Sequence, residues 1–313
     1  MLEQGRWVSD WQPVQAKDEK GGFVRQVSSF RNWVTPDGQP GPTGVGGFKA
    51  EAGRYHLHVA LICPWASRTL IGRALKGLEG VISVTVVEPE LGNQGWRFPE
   101  GGDSVTGATY MHEIYTAADP VFTGRATVPV LFDKQTNTVV SNESADILRM
   151  LNSGFGDLAS GPDLYPHDLR AEIDALNERI YPRLNNGVYR AGFATTQVAY
   201  EEAFDEVFAQ LDELEDRLND RGPFLLGDAL TEADVRLFVT LVRFDVAYHG
   251  LFKCNLRPIA DYPHLQAYML RVLNLHGVRQ TVSFDHIKRG YYSIKALNPT
   301  GIVPKGPELE WAA

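Results

Sequence analysis

The chain has 313 residues, enough for two domains with sizeable cores, and its 43% hydrophobic and 22% charged residues are those of a globular protein. A formal charge of −9 with no block of Lys or Arg offers no electrostatic footprint for nucleic acid, and no apolar stretch approaches the roughly 20 residues that span a bilayer. Two cysteines, Cys63 and Cys254, are too few for a disulfide framework; with an opening, MLEQGRWVSDWQP, that lacks a signal-peptide layout, they imply a reducing cytoplasm.

Residues 1–50 form an N-terminal extension rich in Gly, Pro and polar groups. Its aromatics, Trp7, Trp11, Phe23, Phe30 and Trp33, follow no helix or strand period, so it reads as a partly ordered arm wrapping the body. GPTGVGG (41–47) lacks the Lys-Ser/Thr ending of a phosphate loop and follows no strand; it reads as a flexible loop. From Arg54 the signal changes. RYHLHVALI is a buried strand, with Tyr55, Leu57, Val59 and Leu61 on one face and His56, His58, Ala60 and Ile62 on the other. SRTLIGRALKGL spaces Leu70, Ile71, Ala74, Leu75 and Leu78 as a helix ending at Gly77 or Gly80, and VISVTVVEP (81–89) is a second strand. Together they make a βαβ unit, right-handed with parallel strands. A Gly-rich insertion, Glu90 to Pro120, carries Trp96. TVPVLFDKQTNTVV then reads as a hairpin, Val128 to Asp133 and Thr138 to Val140, turning through Gln135, Thr136 and Asn137. SNESADILRML starts a helix capped by Ser141 or Asn142.

After the loop GFGDLASGPDLYP the pattern is wholly helical. Leu169, Ile173, Leu176, Ile180 and Leu184 form one stripe, and Phe204, Val207, Phe208, Leu211, Leu214 and Leu218 another. Thr231 and Asp234 open TEADVRLFVTLVRF as a capping box with Asp in place of Glu. Further helices are expected over 263–275 and 278–289, and the acidic run Asp212 to Asp216 reads as a solvated face. The boundary falls near 152–165. We therefore expect an extension (1–50), an α/β domain (51–155) and an all-helical domain with a C-terminal tail (165–313).

Cys63 sits where the strand meets the helix, beside the unpaired first-turn N–H groups, which favour a thiolate. Pro64 suits the first helical position because it has no N–H to leave unbonded. An ordinary thiol of pKa about 8.5 is about 3% ionised at pH 7, and a fall to about 6 would take about 3.4 kcal/mol. A dithiol oxidoreductase would read Cys-x-x-Cys, but here Ala66 takes the second place. A mixed disulfide at Cys63 therefore needs an external thiol to release it. Cys254, in FKCNL, reads as a buried structural thiol. His56 and His58 share a strand face but have no matching Cys/His cluster elsewhere, so they read as satisfied core histidines, and no metal is expected.

The order of these elements, with Val128-Pro129 opening the hairpin and Glu143-Ser144 at a helix start, resembles the glutathione transferase fold: an α/β thioredoxin-like N-terminal domain plus an all-α C-terminal domain. CPWASR, GWRFP, RATVPVLFD, NNGVYRAGFATTQ, RFDVAYHGLFKCNL and NPTGIVPKGP narrow this. Together, from about Trp33 to Pro307, they resemble the glutathionyl-hydroquinone reductases, the xi class. The resemblance implies that Cys63 is the nucleophile. It implies that Trp96, Arg125, Ala126, Thr127, Val128, Glu143 and Ser144 bind glutathione, with Pro129 cis and Val128 facing the cysteinyl part. Tyr189, Tyr248 and Tyr291 would surround the aromatic substrate, with Tyr189 as acid/base.

The implied partners are glutathione, as co-substrate, and a glutathionyl-hydroquinone; a homodimer is expected by likeness. Within the fold, the rival is a general glutathione-dependent thiol transferase or dehydroascorbate-type reductase; from another class, a non-catalytic transferase-like interaction domain. Read without the resemblance, Trp96 is a loop anchor, Arg125 a surface salt-bridge partner, Glu143 a first-turn acid and each tyrosine a packing residue.

Overall fold

The computed structural model describes residues 1–9, 13–44, 46–309 and 311; Trp11 and Val45 of the arm and its glycine loop lie outside them. The chain divides into two compact units. The first comprises Met1–Trp11, Gln26–Asp163 and Gln280–Val282, and the second Gln12–Arg25, Leu164–Arg279 and Ser283–Ala313.

The first unit begins with two short pairs, β1 (Leu2–Glu3) with β2 (Arg6–Trp7) and β3 (Trp33–Thr35) with β4 (Gly47–Lys49). Its centre is a four-stranded sheet of order β6-β5-β7-β8. β5 (Tyr55–Val59) runs parallel to β6 (Ser83–Val86) and antiparallel to β7 (Val130–Asp133), which forms a hairpin with β8 (Thr138–Ser141). Every residue of β5 is buried on both faces, as a central strand requires. Asn137 takes the left-handed conformation, φ 52°, that closes the hairpin turn. Helix α1 (Pro64–Leu75) connects the parallel strands and packs on α3 (Ser144–Arg149). Gly72 permits that approach, since a Cβ there would lie 2.6 Å from Leu148 Cδ1.

Two expectations fail in this unit. The Gly-rich insertion contains a helix, α2 (Met111–Ala118). No Ser, Thr, Asp or Asn stands at its cap, Tyr110, to mark its start in the sequence. Instead Glu113 reaches back, its Oε2 accepting from the N–H groups of Thr109 at 2.7 Å and Tyr110 at 3.3 Å. The cap of α3 is Glu143 rather than Ser141 or Asn142: its carboxylate accepts from the Ala145 N–H at 3.0 Å. Ser141 belongs to β8 and Asn142 turns inward to other partners.

The second unit is helical: α4 (Arg170–Ile180), α5 (Gly187–Gly192), α6 (Gln197–Arg221), α7 (Glu232–Arg243), α8 (Pro263–Leu273) and α9 (Phe284–Tyr292). The stripe through Leu184 is not one α-helix. α4 stops at Ile180 and the chain widens into a π-helical segment, Tyr181–Asn185, around Pro182. A second π segment, Phe244–Tyr248, extends α7. The Thr231/Asp234 box forms as expected, with Asp234 accepting from Thr231 N at 2.8 Å and from its hydroxyl at 3.0 Å. The helix expected over 278–289 starts later, at Phe284, where Ser283 caps it by accepting from His286 N. The acidic run on α6 is more than a solvated face: Glu215 accepts from the first-turn N–H groups of His264 and Leu265, and Asp212 pairs with Arg257. Among the described residues, no helix is long and apolar enough to cross a membrane.

Candidate active site

Cys63 occupies the N-cap position of α1 with Pro64 at the first helical position and extended backbone angles, φ −77° and ψ 119°. Its Cβ therefore projects at the helix start, half-buried, where the first-turn N–H groups lack intrahelical acceptors. The Sγ lies 3.5 Å from the carbonyl oxygen of Val128, and the Val128–Pro129 peptide is cis. Thiol and cis-proline loop thus meet across the sheet from positions 65 residues apart. Cys254 is fully buried, and burial pushes its thiol up to about 12, in keeping with an inert role.

The segment Arg125–Val128 is fixed by residues the sequence did not mark. The Tyr115 hydroxyl, on α2, donates to Thr127 O at 2.9 Å and accepts from Thr127 N at 3.2 Å; Asn142 Nδ2 donates to that same hydroxyl. Arg125 is held through its backbone N–H, which donates to Gln26 Oε1 at 3.1 Å. Ala126 is half-buried beside it. Glu143 has two tasks: Oε1 caps α3, and Oε2 accepts from the Ser28 hydroxyl at 2.9 Å. Ser144, buried, lies 3.5 Å from Nη1 of the buried Arg68, whose guanidinium also stacks 4.5 Å over Trp65. Trp96 is half-buried, and its carbonyl accepts from Met111 N at the start of α2.

The insertion is tied to the sheet by a buried polar group. Asp103 Oδ1 approaches His58 Nε2 at 3.2 Å and His56 Nε2 at 3.9 Å, while Thr106 N–H and hydroxyl donate to Oδ2. The ligand atoms of His56, His58 and Asp103 lie within 4.8 Å of one another. His56, however, commits both ring nitrogens, to Ser83 Oγ at 2.7 Å and Thr85 Oγ1 at 2.8 Å. Burial, then the neighbouring His58, pushes the His56 imidazole down to about 3.

In the helical unit, three tyrosines from three elements share one chain of hydroxyls. Tyr189 (α5) lies 2.5 Å from the Tyr291 (α9) hydroxyl, which lies 2.8 Å from that of Tyr248, at the end of the second π segment. Tyr291, not its neighbour Tyr292, enters the chain. Tyr248 and Tyr291 are buried, and burial holds both phenols well above their ordinary range. Tyr189 is the half-exposed end. Gly192 makes room for Phe252, which packs edge-on against Tyr189; a Cβ on Gly192 would fall 2.4 Å from that ring. The chain offers hydrogen bonds, and a proton, to a phenolic oxygen.

Family models for the glutathione S-transferase N-terminal and C-terminal domains match residues 62–153 and 197–271. The chain is 50% identical to the glutathionyl-hydroquinone reductase PcpF of Sphingobium chlorophenolicum, over 98% of this chain and 96% of that protein. The glutathione-bound structure of YqjG, a glutathione transferase homolog from Escherichia coli K-12, superposes with a TM-score of 0.88 at 49% identity, covering 93% of this chain and 96% of that one. The glutathione-S-transferase Xi of Phanerochaete chrysosporium gives 0.87 at 46%, covering 93% and 94%. The chain belongs to the glutathione transferase family, with its mixed-sheet thioredoxin-like domain and its helical domain. Within that family it is a member of the xi class, the glutathionyl-hydroquinone reductases.

Proposed function

We propose that this protein reduces glutathionyl-hydroquinones to hydroquinones at the expense of glutathione. The observation that carries the reading is Cys63 at the start of α1 with Ala66 where a second thiol would stand, in a chain half identical to reductases of that name. The Cys63 thiolate attacks the sulfur of the substrate in its keto tautomer. The ring carbon–sulfur bond breaks, its electron pair rearomatises the ring, and the phenolate oxygen takes a proton from Tyr189. Glutathione is left disulfide-bonded to Cys63. A second glutathione attacks that disulfide, leaves as oxidised glutathione and returns the thiol. The balance is one substrate and one glutathione to one hydroquinone and one oxidised glutathione.

The tautomer matters because direct cleavage of the aryl carbon–sulfur bond would expel a ring carbanion. In this reading Trp96, Arg125, Ala126, Thr127, Val128, Glu143 and Ser144 hold glutathione, and Tyr248 and Tyr291 support Tyr189 on the phenol oxygen. The monothiol cycle draws on a reduced glutathione pool, so we place the protein in the cytoplasm; by likeness to its family we take it to be a homodimer. Sedimentation of the purified protein tests the latter; a monomer at working concentration would reject it. The central test is turnover of a glutathionyl-hydroquinone by wild type and Cys63→Ser, with intact mass after oxidised glutathione. Equal turnover by the serine form, or no glutathione adduct on Cys63 in wild type, rejects the mechanism.

A further inference from the structure

The tyrosine chain carries a cation on its outer end. The guanidinium carbon of Arg25 lies 4.7 Å from the centre of the Tyr189 ring, over its face. Nothing in the periodicity of residues 12–25 marked this arginine, yet the segment belongs to the helical unit. It is held there: Thr195 N donates to Gly21 O at 3.0 Å, Thr196 Oγ1 donates to Lys20 O at 2.6 Å, and Phe23 packs 5.4 Å from Phe193. Arg25 Nε donates to Asn186 Oδ1 at 2.8 Å, and Asn186 O in turn accepts from Tyr189 N at 3.0 Å. One turn of chain thus carries both the ring and the anchor of the cation above it. The same guanidinium lies 5.3 Å over Phe23, which supports it from the side.

We propose that Arg25 is a positioning residue for proton donation by Tyr189: it fixes the ring and stabilises the tyrosinate formed as the proton leaves. The inference rests on the function proposed above. A cation over an aromatic face is attracted to the ring, more strongly as the ring gains negative charge. Arginine suits the task because its planar fork can stack on the ring while Nε bonds Asn186. The other groups facing the chain reinforce the direction. Tyr291 and Tyr248, kept protonated by burial, can each donate outward, Tyr248 to Tyr291 and Tyr291 to Tyr189. Arg243, buried behind them, draws both phenols down against that burial. Phe193 and Phe252 pack against the Tyr189 ring.

The experiment compares full-length wild type, Arg25→Gln and Arg25→Lys in single-turnover release of hydroquinone from a glutathionyl-hydroquinone across pH. The same proteins are loaded with oxidised glutathione, whose leaving thiolate needs no proton donor. Expected for Arg25→Gln is a fall of about tenfold in hydroquinone release and a move of its alkaline limb upward by about one pH unit. Formation of the Cys63–glutathione disulfide from oxidised glutathione stays at the wild-type rate. Arg25→Lys, which keeps the charge, loses less than Arg25→Gln. In a Tyr189→Phe background Arg25→Gln has no further effect. An unshifted limb, equal loss in the two Arg25 variants, or equal loss with both substrates overturns the inference, leaving Arg25 a packing residue. Wild-type protein that releases no hydroquinone at all fails the underlying reading instead.

Discussion

One substitution can separate the structural contacts of Glu143 from the glutathione contact proposed for it. Its Oε1 caps α3 through Ala145 N at 3.0 Å, and its Oε2 accepts from Ser28 at 2.9 Å. In Glu143→Gln the amide carbonyl can keep the Ala145 bond, and the amide N–H can donate to the Ser28 hydroxyl, which reverses from donor to acceptor. Every hydrogen bond survives; only the charge is lost. The cost to stability is then the loss of an anion at a helix N-terminus, about 0.3–1 kcal/mol. Glutathione presents an ammonium on its γ-glutamyl end, and a hydrogen bond to a charged group contributes about 1.5–3 kcal/mol, or about 10- to 150-fold in affinity. The expected outcome is a thermal midpoint close to wild type with a KM for glutathione raised at least tenfold in the step that frees Cys63. Calorimetric titration of glutathione into the Cys63→Ser background checks the same number without turnover. An unchanged KM and unchanged affinity would show that Glu143 is a cap and a tether for Ser28 and nothing more.

Tyr189→Phe is expected to slow hydroquinone release about a hundredfold or more, the usual span for a positioned proton donor, while the adduct still forms from oxidised glutathione; undiminished release in stopped flow would reject the assignment. Iodoacetamide at pH 7 should label Cys63 alone, because burial pushes the Cys254 thiol up to about 12; peptide mapping that finds Cys254 labelled in folded protein contradicts its placement. Asp234→Ala strips an acceptor from Leu225 N, Thr231 N, the Thr231 hydroxyl and Tyr268, all buried, and should cost about 3 kcal/mol in urea unfolding; a loss below about 1 kcal/mol would mean the network re-forms without it. His56, held down to about 3 against an unfolded value of 6.5, binds fewer protons folded than unfolded between those values. Stability should therefore fall as pH drops from about 6.5 toward 4, and His56→Gln should flatten that slope; identical slopes in the two proteins would place the proton uptake elsewhere.

The fold was legible wherever period and punctuation agree locally. Tyr55 to Val59, the stripe from Leu70 to Leu75, and the β-branched run at Ser83 to Val86 needed only their neighbours in sequence to declare strand, helix and strand. Helix α2 did not, because its start is closed by Glu113 reaching back to Thr109 and Tyr110 rather than by a short polar side chain at the cap. Ser141 and Asn142 misled as caps for a related reason. Both have good capping chemistry, but the hairpin takes the first and the Tyr115 hydroxyl the second, so the longer Glu143 side chain caps the helix.

The site divides along the same line, and the division says where to look for its chemistry. Cys63, Pro64 and Ala66 lie within one turn and state a monothiol on their own; Thr231 and Asp234 likewise state their cap. The supports of the other proposed site residues come from other segments of the chain: Ser28 to Glu143, Gln26 to Arg125, Tyr115 to Thr127, Arg25 to Tyr189. Three of these four come from the arm before residue 35, where no helix or strand sets a spacing that could announce them. The arm is ordered by buried apolar anchors, Leu2, Phe23, Trp33 and Val34, and by its polar contacts. Those contacts fall on the proposed glutathione residues Glu143 and Arg125 and on the proposed proton donor Tyr189. Trimming the arm should therefore change substrate affinity and proton transfer before it unfolds either unit. A truncation of the first 28 residues, which removes Arg25, Gln26 and Ser28 together, that kept full turnover, glutathione KM and pH profile would reject that view of the extension.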